Sequence, residues 1–369
     1  MRVSDNMRIV IVLPNLCGGG AERLHVNLAN DWVAQGYDIE FVLLREKGDL
    51  IPLLAPEITL TGLNVDRIRD AILPLAAYLR KSNTQVVLGA MWPLTSVVVM
   101  SWLLSGRIGK LFLSEHENLS LSYLGQGRVK PGYLKNLIRF TYPLGSGVIA
   151  VSGGVKKDLC ELGNLHEKSV KVIYNPAAIG VSSVRETSGV QDQLWGTHCN
   201  CHILTVGRLV PQKDHESLIK AFALLPIDLN ARLVILGEGP LRSALKVLVT
   251  QLKLESRVLL PGFVNDPYPW FRSSDLFVLS SRWEGFGNVL VEAFECGLPV
   301  VSTNCPSGPS EILDDGRFGK LVPTQAPCAL AAAIVDSLNE THDRQSLMNR
   351  AQDFSLRKIS DEYLAYFSQ

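Results

Sequence analysis

Two glutamates eight positions apart carry the most informative pattern in the chain: Ser280-Ser281-Arg282-Trp283-Glu284-Gly285-Phe286-Gly287-Asn288-Val289-Leu290-Val291-Glu292. The apolar run Leu276-Phe277-Val278-Leu279 before this segment reads as a buried strand, and Asn288 to Cys296 reads as a helix closed by Gly297. Glu284 then lies on the turn at the strand's carboxyl end, the edge where open α/β sheets bind ligands. Glu292 lies inside the helix, just past its first turn. Gly285 and Gly287 leave backbone amides unobstructed at a helix N-terminus, where the dipole favours phosphate. Carboxylates beside bare amides suit a ligand carrying both hydroxyls and phosphates, such as a nucleotide sugar. The plain alternative is an ordinary strand–turn–helix whose acids serve only the helix dipole.

Other segments bear on that choice. In Val206-Gly207-Arg208-Leu209-Val210-Pro211-Gln212-Lys213-Asp214, Arg208 and Lys213 follow a second strand, where they could grip a diphosphate by a bidentate fork and a mobile point charge. Cys17-Gly18-Gly19-Gly20-Ala21-Glu22-Arg23 follows the first strand; Gly19 and Gly20 read as part of a phosphate cradle or of a flexible turn. It does not complete G-x-G-x-x-G, because Arg23 stands where the last glycine belongs. Ser114-Glu115-His116-Glu117-Asn118 puts His116 at a strand end, where an imidazole could bond a sugar hydroxyl or move a proton. Val151-Ser152-Gly153-Gly154 makes a similar, weaker turn. No Asp-x-Asp and no His/Cys cluster with metal spacing occurs, so neither a metal nor another cofactor is expected.

Strand-like and helix-like runs alternate along the whole chain, which calls for parallel sheets covered by helices on both faces. The expected strands are 8–13, 39–44, 86–88, 111–113, 148–151 and 170–174, then 203–206, 232–236, 258–260, 276–279 and 300–302; 21–35 and 66–81 read as helices. Periodicity lapses among Ser, Thr, Gly and Gln before Asn200. The expected fold is therefore α/β, two doubly wound Rossmann-like domains facing a cleft. They span 1–178 and 201–352, with a linker at 179–200 and a last helix, 353–369, that can cross back to the first domain.

The 369 residues suffice for two such domains, and 36 basic against 36 acidic residues, with no aromatic-basic motif, argue against nucleic acid. Seven scattered cysteines fit neither a disulfide framework nor a zinc site and suggest a reducing compartment. The apolar stretch Val86 to Leu104 is near membrane-span length, but Gly89, Pro93, Thr95 and Ser96 break it into a strand and a helix. Asn118 to Lys157 contains no acid yet carries Arg128, Lys130, Lys135, Arg139, Lys156 and Lys157. Tyr133, Leu134, Leu137, Ile138 and Tyr142 interleave at helical spacing. Two readings stand for it: an amphipathic element on an anionic membrane surface, or a core-facing helix with a solvated basic side.

Taken in order, the Gly-Arg…Lys-Asp segment, Gly237-Glu238-Gly239-Pro240, Gly262-Phe263-Val264, the Glu-x7-Glu turn and Cys296-Gly297-Leu298-Pro299-Val300-Val301 resemble the retaining glycosyltransferases of family 4, which have the GT-B fold. The resemblance spans nearly the whole chain and is strongest from Val206 to Val322. It implies that Arg208 and Lys213 bind and stabilise the leaving diphosphate. Glu284, with Gly285 and the amides of Phe286 and Gly287, would face the donor sugar. Asn288 and Val289 would join the donor site, Glu292 would bond the ribose, and Val264 would line the base pocket. Gly19 and Gly20 would close over the phosphates, and His116 would lie beside the transferred sugar. Charge building on a diphosphate can be opposed by two cations and a helix N-terminus without metal. With no carboxylate obviously placed as nucleophile, front-face substitution fits better than double displacement.

Cys305-Pro306-Ser307-Gly308-Pro309-Ser310-Glu311 resembles a variant found in transferases that build surface polysaccharides and lipid-linked oligosaccharides. That likeness implies a UDP-hexose or UDP-N-acetylhexosamine donor and a lipid-linked or saccharide acceptor. The expected location is peripheral, on the cytoplasmic face of the membrane. Two rivals stay open: a phosphorylase-type GT-B enzyme, and a non-catalytic partner subunit of a transferase complex.

Overall fold

Strands buried on both faces must be apolar throughout, and the runs above meet that demand. The computed structural model describes residues 7–181, 193–196 and 199–369. The chain divides into two compact units, one of Met1–Pro176 with Leu356–Gln369, the other of Ala177–Ser355.

The first unit holds a seven-stranded sheet: β1 (Arg8–Leu13), β2 (Asp38–Leu43), β3 (Thr59–Gly62), β4 (Val86–Ala90), β5 (Lys110–Glu115), β6 (Gly147–Ala150) and β7 (Val170–Val172). Its helices are α1 (Gly20–Ala34), α2 (Ile72–Lys81), α3 (Leu94–Ser105), α4 (Pro131–Thr141) and α5 (Gly153–Gly163). The strand order is β3-β2-β1-β4-β5-β6-β7, all pairs parallel, with Val10 opposite Glu40 on one side and Val87 on the other. The order reverses between β1 and β4, so the chain opens a crevice beyond their carboxyl ends.

The second unit holds β8 (Cys201–Val206), β9 (Ala231–Leu236), β10 (Val258–Gly262), β11 (Leu276–Leu279), β12 (Val300–Thr303) and β13 (Lys320–Val322). Helices α6 (His215–Ala223), α7 (Arg242–Gln251), α8 (Tyr268–Ser273), α9 (Asn288–Glu295), α10 (Pro309–Ile312), α11 (Pro327–Asn339) and α12 (Arg344–Gln352) belong to it. The order is β10-β9-β8-β11-β12-β13, again parallel, with Ile203 opposite Leu276. Its reversal lies between β8 and β11.

The last helix, α13 (Leu356–Phe367), completes the core of the first unit. Its Ile359, Tyr363 and Phe367 join Ile9, Ile11, Leu13, Phe41 and Leu88, and Trp32 of α1 meets Tyr363 and Phe367 at ring distances of 6.0 and 5.7 Å. Within the expected linker, residues 182–192 and 197–198 lie outside the described residues. Trp195 departs from a loop reading: it is fully buried, and its indole N–H donates to Ser273 Oγ at 2.8 Å. The apolar stretch 86–104 forms β4 and most of α3, and no helix among the described residues is long and apolar enough to cross a membrane.

The basic stretch resolves into α4 with a mixed outcome. Leu134, Ile138 and Tyr142 are buried in the first unit, so most of the expected apolar stripe faces the core. Tyr133 and Phe140 point outward instead, 61% and 65% exposed, beside the exposed Arg128, Lys130, Lys135 and Arg139. Phe140 went unnoticed in the sequence because it falls outside that stripe.

Candidate active site

In the second unit the reversal of strand order brings together two loops that are far apart in sequence. After β8 the chain passes Gly207 and Arg208, makes a single tight turn at Pro211–Lys213, and enters α6. After β11 it turns through 280–287 into α9. Three bonds lace these loops: Ser280 Oγ donates to the Lys213 carbonyl at 2.8 Å, the Arg282 amide to the Gln212 carbonyl at 2.8 Å, and Gln212 Nε2 to the Trp283 carbonyl at 2.9 Å. Arg282 also pairs with the buried Asp214 at 3.1 Å.

The loops meet in an ion pair. Lys213 Nζ lies 2.6 Å from Glu284 Oε1, with side-chain exposures of 16% and 7%. Ser281 Oγ donates to the same oxygen at 2.6 Å. The lysine's stem runs over Gly207, where an added Cβ would find it at 3.4–3.5 Å. Behind it His215 is buried, and burial, with the lysine's charge second, pushes its pKa down to about 4. A neutral His215 adds no cation to the site. Arg208 is exposed and makes no ion pair among the described residues.

Two further loops hold this arrangement in place. The Gly237 to Pro240 loop lies against the Arg208 loop, with the Leu209 amide donating to the Glu238 carbonyl at 2.8 Å. A Cβ on Gly237 would fall 2.1 Å from the Gly207 carbonyl oxygen, so this approach admits only glycine. From the other side the Glu284 amide donates to the Pro306 carbonyl at 3.1 Å, and Thr303 Oγ1 to the Ser281 carbonyl at 2.6 Å. Gly308 presses its backbone onto that of Phe286. Helix α9 then begins at Asn288, with Gly287 at its N-cap and no side-chain cap.

In the first unit α1 starts at Gly20 with Gly19 as its N-cap. The ground above Gly19 belongs to Glu22, whose carboxylate would lie 2.1 Å from a Cβ there. At the end of β5, His116 Nε2 lies 3.0 Å from Ser114 Oγ. Beside it Glu115 is buried, bonded by the Trp92 amide at 3.1 Å, by Thr95 Oγ1 at 2.8 Å and by the Tyr142 hydroxyl. Burial raises the Glu115 pKa to about 7 against the opposing pull of Tyr142, Thr95 and Trp92.

Comparison with known proteins now decides the family. Residues 18–179 match the model described as Glycosyltransferase Family 4, and residues 201–354 match that of Glycosyl transferases group 1. This chain belongs to glycosyltransferase family 4. One relative in Campylobacter jejuni is N-acetylgalactosamine-N,N'-diacetylbacillosaminyl-diphospho-undecaprenol 4-alpha-N-acetylgalactosaminyltransferase. It is 34% identical over 240 residues, 63% of this chain and 62% of its own length. Another in that species, an alpha-1,4-N-acetyl-D-galactosaminyltransferase named for a GalNAc-extended diNAcBac-PP-undecaprenol, is 26% identical over 98% of this chain and 99% of its own. The first match spans less than two thirds of that relative. Among solved structures, Anabaena HepE in complex with UDP superposes with a TM-score of 0.80 at 21% identity, covering 98% of this chain and 100% of that one. That likeness gives the fold, GT-B.

Among the residues that the family resemblance singled out, Lys213, Glu284, Gly285, Phe286 and Gly287 are brought together within the second unit. Asn288 and Val289 open α9 half-buried, and Glu292 follows one turn later, also half-buried. Val264 stands on the loop after β10, tied to the Gly237 loop by the Gly237 amide, which donates to the Gly262 carbonyl at 2.8 Å. Gly19, Gly20 and His116 belong to the first unit. Lys213 and Arg208 are not an equivalent pair of cations, because Lys213 is already engaged by Glu284. Sequence reading passed over Gln212, Ser281, His215 and Gly308. Gln212, Ser281 and Gly308 stood inside the quoted motifs, but nothing local marks what they touch.

Proposed function

We propose that this chain transfers a hexose or N-acetylhexosamine from a nucleotide sugar, a UDP-sugar, to a lipid-linked or saccharide acceptor, with retention and without metal. The observation that carries this reading is the Lys213–Glu284 pair at the head of α9, with Arg208 on the same loop as Lys213 and in no ion pair among the described residues. As the glycosyl C1–O bond breaks, negative charge grows on the departing diphosphate. Arg208 is then the cation available at once, and Lys213 the one that exchanges a carboxylate for phosphate. On this reading the acceptor oxygen bonds to C1 on the face that the diphosphate leaves, and the acceptor's proton passes to a phosphate oxygen. Glu284 orients the sugar, and Glu292 holds the ribose. The relatives' named acceptors and the UDP bound to a structural neighbour support the donor and acceptor classes.

We further read the protein as peripheral on the cytoplasmic face of a membrane. Support comes from α4, whose exposed Tyr133 and Phe140 flank a shallow groove with Leu137, among four exposed bases. Each base near an anionic surface is worth about 1 kcal/mol, so reversing all four should weaken binding to phosphatidylserine vesicles and spare nucleotide binding. A thermal-shift panel of nucleotides and nucleotide sugars finds the donor, since ligands of the native state raise its stability. With that donor, transfer should survive excess EDTA, and proton NMR should show an α linkage from an α donor. Activity lost on chelation and restored by manganese refutes the metal-free reading.

A further inference from the structure

Phe286 stands between the two glycines of the Glu284 turn, and two separate contacts hold it. Gly308 lies against its backbone, and the ring of Phe354 packs on its buried ring at 5.4 Å and 66°. Both contacts lead to Arg350, in the last turn of α12. All of these residues belong to the second unit.

The first route runs through α10, which starts directly after Gly308 and whose Ile312 amide donates back to the Gly308 carbonyl at 2.9 Å. A helix end leaves carbonyls that need donors. Those of Ser310 and Leu313 take the amides of Asp315 and Phe318, at 2.8 and 3.0 Å. Those of Glu311 and Ile312 take Arg350, from Nη2 at 2.6 Å and from Nε at 3.0 Å. The second route is a stack. The guanidinium lies 4.8 Å from the Phe354 ring and 5.5 Å from the Phe318 ring, and its Nη1 donates to Asp353 at 2.8 Å. Arginine joins a planar fork of donors to a face that stacks on aromatic rings, whereas lysine offers a single point charge.

We propose that Arg350 is a positioning residue for the donor-sugar side of the site. By capping α10 and bracing Phe354, it fixes Gly308 and the Phe354 ring against Phe286, and so sets where the amides of Phe286 and Gly287 point. The inference rests on the reading of this chain as a sugar transferase, in which those amides face the donor sugar. Nucleotide binding should be spared. The Lys213 loop is laced to the turn at Ser280, Arg282 and Trp283, all before Phe286, and those bonds do not pass through Arg350. A residue that only fastened α12 to the fold would lower the thermal midpoint and leave turnover by the folded protein unchanged.

The test uses the full chain as Arg350→Lys and Arg350→Ala. Arg317→Ala is the control, since Arg317 also lies over Phe318, at 5.2 Å, but is 74% exposed and pairs with Asp314. Turnover is read as UDP release from UDP-N-acetylgalactosamine, UDP-N-acetylglucosamine or UDP-glucose, whichever the parent consumes, well below each midpoint and per folded molecule. UDP affinity is read by calorimetry. Both Arg350 variants should lose about tenfold or more in kcat, with the Kd for UDP within about threefold of the parent's and the control parental in both. Phe354→Leu, which removes the ring between Arg350 and Phe286, should show the same split and reads the same route if the Arg350 variants do not fold. Folded variants with parental kcat, or with kcat and UDP affinity falling together, overturn the positioning role and leave the transferase reading standing. A parent that consumes none of the three sugar nucleotides overturns the UDP-sugar reading and this inference with it.

Discussion

Gly308→Ala should disable the site although Gly308 itself is assigned no contact with the donor. A Cβ built on Gly308 falls 1.8 Å from the Phe286 carbonyl oxygen, 2.5 Å from its carbon and 2.6 Å from its Cα. All three are backbone atoms, so no flexible side chain can swing away. Real Cβ atoms stay 3.0 Å or more from their neighbours. One backbone must therefore move by at least about 1.2 Å, and a misplacement of that size near the chemistry costs about 100-fold in rate. The residue's own φ of 103° adds about 1–3 kcal/mol of strain for a side-chain-bearing residue. Phe286 has little room to yield, since its ring is buried and packs on Phe354 at 5.4 Å. The shift then passes to Gly287 and Asn288 at the head of α9. Initial rates of sugar transfer should fall about 100-fold or more, and the thermal midpoint should drop. Asn304→Ala, on an exposed neighbour in the same loop, serves as the control and should behave as the parent. Parental rates and midpoint in Gly308→Ala would show that the 305–308 loop does not hold the Glu284 turn, and the reasoning would fail.

Other perturbations separate the roles. Lys213→Ala should lower turnover about 100-fold or more, because it removes charge stabilisation from the departing diphosphate. It should also cost about 1–3 kcal/mol by leaving a buried carboxylate without its cation. Adding Glu284→Gln should return much of that stability and none of the activity, so a double variant with no higher urea midpoint than Lys213→Ala argues against the pairing. Glu292→Ala should raise the donor KM by roughly tenfold or more with turnover near the parent's, as ribose contacts are alike in ground and transition states. A fall in kcat at constant KM would detach Glu292 from the ribose. Glu115 titrates near 7 when folded and near 4.5 when unfolded, so between those values the native state binds more protons. Its contribution to stability is therefore fully present below about pH 4.5 and is lost as pH rises through about 7. Glu115→Gln should gain on the parent by on the order of 3 kcal/mol between pH 4.5 and 8, read as a urea-midpoint difference that widens with pH. A difference independent of pH would mean that Glu115 is ionised throughout.

What the sequence disclosed and what it withheld follow one physical division. Central parallel strands such as β1 and β11 are buried on both faces, so their apolar runs announce them. Edge strands need no such run. β3 reads Thr59-Leu60-Thr61-Gly62 with every residue partly exposed or exposed, and β13 is three residues long; neither was anticipated. The chemistry divides in the same way. The places of Glu284 and Gly287 on the turn after β11, and of Glu292 inside α9, were legible because one strand–turn–helix segment carries all three. The engagement of Lys213 was not legible, because its partner lies 71 residues away and meets it only where the strand order reverses between β8 and β11. The sequence thus discloses groups held by one turn, while groups joined by strand order become visible only in the folded sheet. Single substitutions at Lys213 consequently report on the sheet's topology as much as on the side chain removed, which is why the double variant is needed to tell the two apart.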